Sequence, residues 1–253
     1  MDIQKDGANR IIKTIIAMGI LLLAFFIQGA VVAIKGFAGI KSAVVRGLVL
    51  WGLVVLTIAL YCIKRKRLSM LGFRRTNYIF IKGLYYFIPL IVIALIPFFC
   101  GINVDSGTGM IFANLFLTLG IGFCEELYFR GIICNLWLKR GEKTAIMVSS
   151  ILFAVCHLMN LAGGANIIET ILQICFAFVY GVVFALIFIA CHSVWPCIIL
   201  HTLHDFCSFI SAEGTVLENI VLGSIQFTIL LCYAVIIMKK SKAANPKQDK
   251  LGQ

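Results

Sequence analysis

Residues Met110–Gly131 read MIFANLFLTLGIGFCEELYFRG, and IICNLWL follows from Ile132. The run is apolar on both sides of Glu125, Glu126 and Arg130. Continuous apolar stretches of this length form helices in lipid, whereas barrel strands alternate between apolar and polar residues. Packing alone gives no reason to place two adjacent glutamates and an arginine inside such a helix.

The rest of the chain agrees with a membrane reading. Its 253 residues are 61% hydrophobic and 13% charged, with a mean hydropathy of +1.03. Soluble domains are about half apolar and about a quarter charged. The expected fold is all-α, a polytopic transmembrane helix bundle of about eight spans. The apolar segments are 11–34, 42–63, 77–100, 110–138, 143–163, 168–191, 194–211 and 217–238, the fourth long and the seventh short. The first is too long for a signal-peptide core and lacks a small-residue cleavage site. No repeat or second domain is visible, so residues 1–238 read as one membrane-embedded domain. Residues 239–253 read as a basic tail expected to be disordered.

Basic residues orient the spans. Lys64, Arg65, Lys66, Arg67, Arg74 and Arg75 crowd the second loop, Lys139, Arg140 and Lys143 the fourth, and Lys239, Lys240, Lys242, Lys247 and Lys250 the tail. The third, fifth and seventh loops hold no Lys or Arg but carry Asp105, Glu169, Glu213 and Glu218. The positive-inside rule then sets both termini in the cytoplasm of a multi-pass protein, expected in a bacterial plasma membrane. Lys35, Lys41 and Arg46 in the first loop run against this pattern. The net charge of +11 is accounted for by topology and anionic lipid, and no nucleic-acid partner is needed. The ten cysteines include no CxxC pair; Cys62, Cys134, Cys175 and Cys232 lie in apolar segments and read as small hydrophobes.

An ionisable side chain at the bilayer centre costs about 3 kcal/mol on insertion scales, so such residues mark cavities and functional sites. The spans contain Glu125, Glu126, Arg130, His157, His201, His204 and Asp205, with His192 in the turn before the seventh span. Glu126 and Arg130 are four apart and can pair along one face, while Glu125 is rotated about 140° from Arg130. Phe153 shares a face with His157; His201, His204 and Asp205 share another. Glu125 is fourteen residues from Lys139 and His157 fourteen from Lys143, so both stand about 21 Å from the basic loop. His201 reaches that depth if the turn CHSVWP is sunk within the protein. A carboxylate and imidazoles in a dry cavity suit hydrolysis by an activated water, with a polar pair stabilising the oxyanion. No nucleophile elbow and no HExxH is present.

EELYFR fits EExxxR, FAVCH fits FxxxH, and HTLHD fits HxxxN/D, in that order. Over about residues 110–210 the chain resembles the CAAX-protease and bacteriocin-processing family, also called Abi or CPBP, which includes the type II CAAX prenyl endopeptidases. The resemblance implies a glutamate-dependent intramembrane endopeptidase acting on a peptide or a lipidated protein, with membrane lipids as its surroundings. Glu125 would activate water, His157 would help to hold it, and His201 with Asp205 would bind the oxyanion. Glu126 and Arg130 would orient the site or contact substrate. The family often has Asn where this chain has Asp205. An Asp there is protonated, orients His201, or joins a metal site.

Each residue also has a plainer reading. Glu126–Arg130 can be a helix-stabilising pair, His157 an interhelical hydrogen-bonding residue, Phe153 packing and His204 structural. Two alternatives stay beside the water-activating glutamate. One is a metalloprotease with zinc or another divalent metal on Glu125, His157, His201 and Asp205. The other is a non-enzymatic carrier or immunity protein, since carriers also bury Glu, His and Asp. The substrate and the oligomeric state are not written in the sequence.

Overall fold

The computed structural model describes residues 2–63, 68–76, 87–103 and 107–244. Lys64, Arg65, Lys66, Arg67, Asp105, the first part of the third apolar segment (77–86) and the tail from 245 lie outside the described residues. The architecture is all-helical. We label the helices α1 (Asp2–Lys35), α2 (Gly39–Ile63), α3 (Ile88–Leu95, tightening to a 3-10 helix over Ile96–Cys100) and α4 (Gly107–Glu126). They continue as α5 (Glu142–Cys156), α6 (Ile167–Cys191), α7 (Trp195–Ile210) and α8 (Val216–Ala244). From α4 the chain runs on as a π-helix over Leu127–Cys134 and then through short turns to Arg140.

Six of these helices are long and apolar enough to cross a membrane: Asp6–Lys35, Gly39–Ile63, Gly107–Arg140, Glu142–Ala162, Ile167–Cys191 and Val216–Lys239. Ile88–Cys100 is a shorter apolar helix, and α7 has 16 residues. The seventh segment is therefore as short as the sequence indicates. Beyond the eighth, α8 continues to Ala244, six residues into the stretch expected to be an unstructured tail.

The outer surface of the bundle is apolar, with Ile15, Phe26, Val55 and Leu217 all exposed. The interior holds the charge: Arg130 is the largest side chain that is fully buried. This inverts the soluble arrangement and fits a lipid surrounding.

Two ends of the bundle can be told apart. At one, Trp137 Nε1–H donates to Thr14 Oγ1 at 2.9 Å, bringing the start of α1 beside Lys139 and Arg140. Ser193 Oγ–H donates to the Arg74 carbonyl at 2.8 Å and the Val194 amide to the Gly72 carbonyl at 2.9 Å. Ser193 and Val194 are fully buried, so the turn before α7 is sunk beneath the Leu68–Arg75 segment. Their backbone groups are satisfied by protein, which is what irregular chain at this depth requires. At the other end, Asn219 Nδ2–H donates to Glu169 Oε1 at 3.0 Å, and Ile102 forms an isolated bridge with Ser211.

Helix α4 sits against α2 on one side and α7 on the other. Gly122 allows the second approach: a Cβ there would stand 2.6 Å from Thr202 Oγ1 and 3.4 Å from the Ile198 carbonyl. Small residues at such crossings let backbones close in lipid, where dispersion rather than water release holds helices together. That crossing brings α7 against the glutamates of α4.

Candidate active site

Glu126 is the last residue of α4, and both it and Arg130 are fully buried. Arg130 Nη1–H donates to Glu126 Oε1 at 2.9 Å, the pair expected from their spacing. The intervening helix is π-type, a form that recurs at functional sites. Arg130 Nη2–H also donates to the Gly181 carbonyl of α6 at 3.3 Å. Its guanidinium carbon lies 4.7 Å from the Phe153 ring centre and 5.4 Å from that of Phe184. Aromatic faces and a carboxylate thus replace water around the cation.

Glu126 has a second partner. His201 Nδ1–H donates to the same Oε1 at 2.7 Å, across 75 residues of sequence. The other ring nitrogen, Nε2, lies 3.8 Å from Glu125 Oε2 and 3.6 Å from Asp205 Oδ2. His201 is therefore clamped at one nitrogen and presents the other to two carboxylates. Glu125 and Asp205 keep 15% and 19% side-chain exposure, against none for Glu126. The adjacent glutamates have separate environments: one is locked in an ion pair, the other stands at a partly open edge.

His157 caps the end of α5. The helix stops at Cys156, and His157 Nδ1–H donates back to the Phe153 carbonyl at 3.0 Å. A terminal helix carbonyl is satisfied in this way, and the bond uses Nδ1 rather than Nε2. The Phe153 ring fills the space between the charged groups, with centroids 5.2 Å from His157 and 5.8 Å from His201. It is a packing residue that sets the positions of two imidazoles and one guanidinium.

A cavity of about 320 Å³ opens beside this cluster. Phe153, His157, His201, His204 and Asp205 line its inner part. Its outer part is lined by Glu169, Gln173, Asn219 and Gln226. Glu125 is not on its wall and adjoins it through His201 Nε2. His204 stacks on Phe176 at 5.4 Å, and its buried Nδ1 has no hydrogen-bond partner among the described residues. His192 lies elsewhere, in a left-handed turn ending α6.

Among the described residues no three His, Cys, Asp or Glu side chains form a group that could hold an ion. Glu126 holds His201 through Nδ1 and the Phe153 carbonyl holds His157 through Nδ1, so in both rings Nε2 is the nitrogen not used by these bonds. None of the ten cysteines is paired.

Helix α6 contributes residues that motif reading passed over. Tyr180 lines the cavity with its ring 5.8 Å from that of His201, and Gly181 offers its carbonyl to Arg130. A signal existed in the spacing: Glu169, Gln173 and Tyr180 interrupt one face of an otherwise apolar segment.

The motif residues are gathered in the interior of a helical bundle with six helices long and apolar enough to cross a membrane. Residues 107–207 match the family model described as Type II CAAX prenyl endopeptidase Rce1-like. That stretch holds all three motifs and supports the resemblance they carry, so the chain is similar to the CAAX-type proteases over this part of its length. No curated protein and no solved structure gives a significant match.

Proposed function

We propose that the protein is an intramembrane endopeptidase in which Glu125 activates the attacking water. The observation that carries this reading is the clamped His201: Nδ1 held by Glu126 at 2.7 Å, Nε2 facing Glu125 and Asp205. A water oxygen about 2.8 Å from Nε2 and from a carboxylate oxygen fits between atoms 3.6–3.8 Å apart. Glu125 takes a proton from that water, and the hydroxyl adds to the scissile carbonyl carbon. Nε2–H of His201 donates to the oxyanion that forms. The C–N bond then breaks as Glu125 returns the proton to the leaving nitrogen, giving a carboxylic acid and an amine.

Asp205 acts on His201 rather than on the oxyanion. Its Oδ2 stands too far from Nε2 for a direct hydrogen bond but close enough to balance a positive imidazole. His157, on the cavity wall, holds water or the substrate carbonyl through Nε2. Glu126 and Arg130 position His201.

Both termini are proposed to be cytoplasmic, which sets the Glu169 end of the cavity on the opposite side. A peptide arriving from outside fits that arrangement better than a cytoplasmic prenylated tail, so processing of, or self-immunity to, an exported bacteriocin-like peptide is the favoured role. Reporter fusions at Lys66, Gly141 and the C-terminal tail should all read cytoplasmic; an external signal at Lys66 reverses the choice of substrate. The test of the chemistry is cleavage of a reporter peptide by detergent-purified protein. Glu125→Gln should remove it while membrane insertion and melting are kept; full activity in that variant refutes the base.

A further inference from the structure

The cavity is a groove with two facing stripes, and each follows helical spacing. On α6, Glu169, Gln173, Phe176 and Tyr180 recur at steps of four, three and four residues, and all line it. On α8, Asn219, Gly223 and Gln226 recur at four and three. At about 100° per residue each stripe stays on one side of its helix. Tyr180 stands next to His201, whereas Glu169 bonds Asn219 near the start of α8. Eleven residues separate Glu169 from Tyr180, so the carboxylate lies about 16 Å further out along α6.

The groove walls carry amides that use only part of their bonding capacity. Gln173 Oε1 accepts from Asn160 Nδ2 at 2.7 Å, which leaves the Gln173 N–H groups; Gln226 Nε2 donates to the Ile93 carbonyl at 3.0 Å, which leaves its oxygen. Donors and acceptors of this kind match the N–H and C=O groups of an extended peptide. Gly223 opens the floor, since a Cβ there would meet nothing within 4 Å.

Glu169 has no cation of its own on these walls. From Thr144 to Met238, the whole of α6, α7 and nearly all of α5 and α8, the chain contains no Lys or Arg. The carboxylate is instead held by an amide, in a groove that leads to the proposed site of cleavage.

We propose that the groove binds the substrate as an extended peptide and that Glu169 pairs with a Lys or Arg of that peptide. The position follows from length. An extended chain advances about 3.3 Å per residue, so about 16 Å corresponds to about five residues from the scissile bond. The substrate class is a cationic peptide, and this inference rests on the proposed protease reading for what lies at the inner end.

The experiment uses purified full-length protein and peptides with a single Lys moved from two to eight positions on either side of the cleaved bond. Cleavage should show a KM minimum near the fifth position on one side, about fivefold below the Ala counterpart, as expected for a partly exposed ion pair. Glu169→Gln should erase that Lys-over-Ala preference, and Glu169→Lys should transfer it to peptides with Asp at the same position. Gly223→Phe should fill the floor and block long peptides more than those too short to reach it. Indifference to the position of Lys, or a preference that survives Glu169→Gln, overturns the proposal. Binding of the same peptides to the Glu125→Gln protein, read by fluorescence anisotropy, separates the two readings. Binding that favours Lys and depends on Glu169 supports the groove even if no peptide is cut, whereas cleavage with no Lys preference sinks the groove and leaves the protease standing.

Discussion

Two cavities of almost equal size differ in chemistry. One, of about 320 Å³, is walled by His157, His201, His204 and Asp205. The other, of about 340 Å³, is formed by Gly72, Arg74, Asn135, Glu142, Phe188 and His192 at the basic end. Volume does not distinguish them. What does is the buried charge behind the first: a carboxylate and a guanidinium with no exposure, joined to an imidazole. Behind the second, the polar groups mostly satisfy backbone. Asn135 Nδ2–H donates to the Met70 carbonyl and Arg74 Nε–H to that of Ser69. Ionised groups withdrawn from water are costly, so a fold keeps them where they do something; amides closing loop carbonyls need no further reason.

Four substitutions test that contrast, in falling order of effect. Glu125→Gln keeps the volume and removes the base, so kcat should fall by about 10²–10⁴-fold with unchanged melting in detergent. A drop of less than threefold breaks the link between the first cavity and chemistry. Glu126→Gln should lower both activity and the apparent Tm, because Arg130 loses its counter-charge and His201 its clamp. Breaking a buried ion pair costs about 3–5 kcal/mol. Equal destabilisation in the Glu125 and Glu126 variants would mean that both carboxylates are structural. Phe153→Leu removes the ring shared by Arg130, His157 and His201, and should cost about 1–2 kcal/mol of stability with a few-fold loss of rate. His192→Asn in the second cavity, a residue type that tolerates the left-handed turn, should move melting by about 0.5 kcal/mol or less and leave cleavage within about twofold. Loss of activity in that variant would make the two cavities one system.

Much of the site was legible because helix geometry is local. The four-residue step from Glu126 to Arg130 gives their ion pair, and the order of the apolar segments gives the bundle. The expectation that the turn before α7 is sunk is met by Ser193 and Val194. What sequence could not show is tertiary. The four-residue step gives Glu126 its partner Arg130 but carries no sign that the same oxygen holds His201 from 75 residues away. The α-helical count carries no sign that the helix relaxes to π-type from Leu127. His157 lies within the span Glu142–Ala162, close to the segment read from sequence, but the apolar run does not show that α5 stops one residue before it and that the imidazole closes the last turn. That Glu125 adjoins the cavity only through His201 is likewise a matter of how α7 crosses α4, which residue spacing does not carry. The groove wall of α6 is spread over three turns with no compact motif, so only the folded spacing reveals it.

The shortness of α7 reaches beyond the protein. Sixteen residues rise about 24 Å, less than the roughly 30 Å of a typical hydrocarbon core. The polar backbone of Leu68–Arg75 and the sunken turn fill the remainder on one side. A short hydrophobic belt of this kind is met by a locally thinned bilayer, tilt or oligomerisation. On the proposed function, activity should then vary with the thickness of the host bilayer.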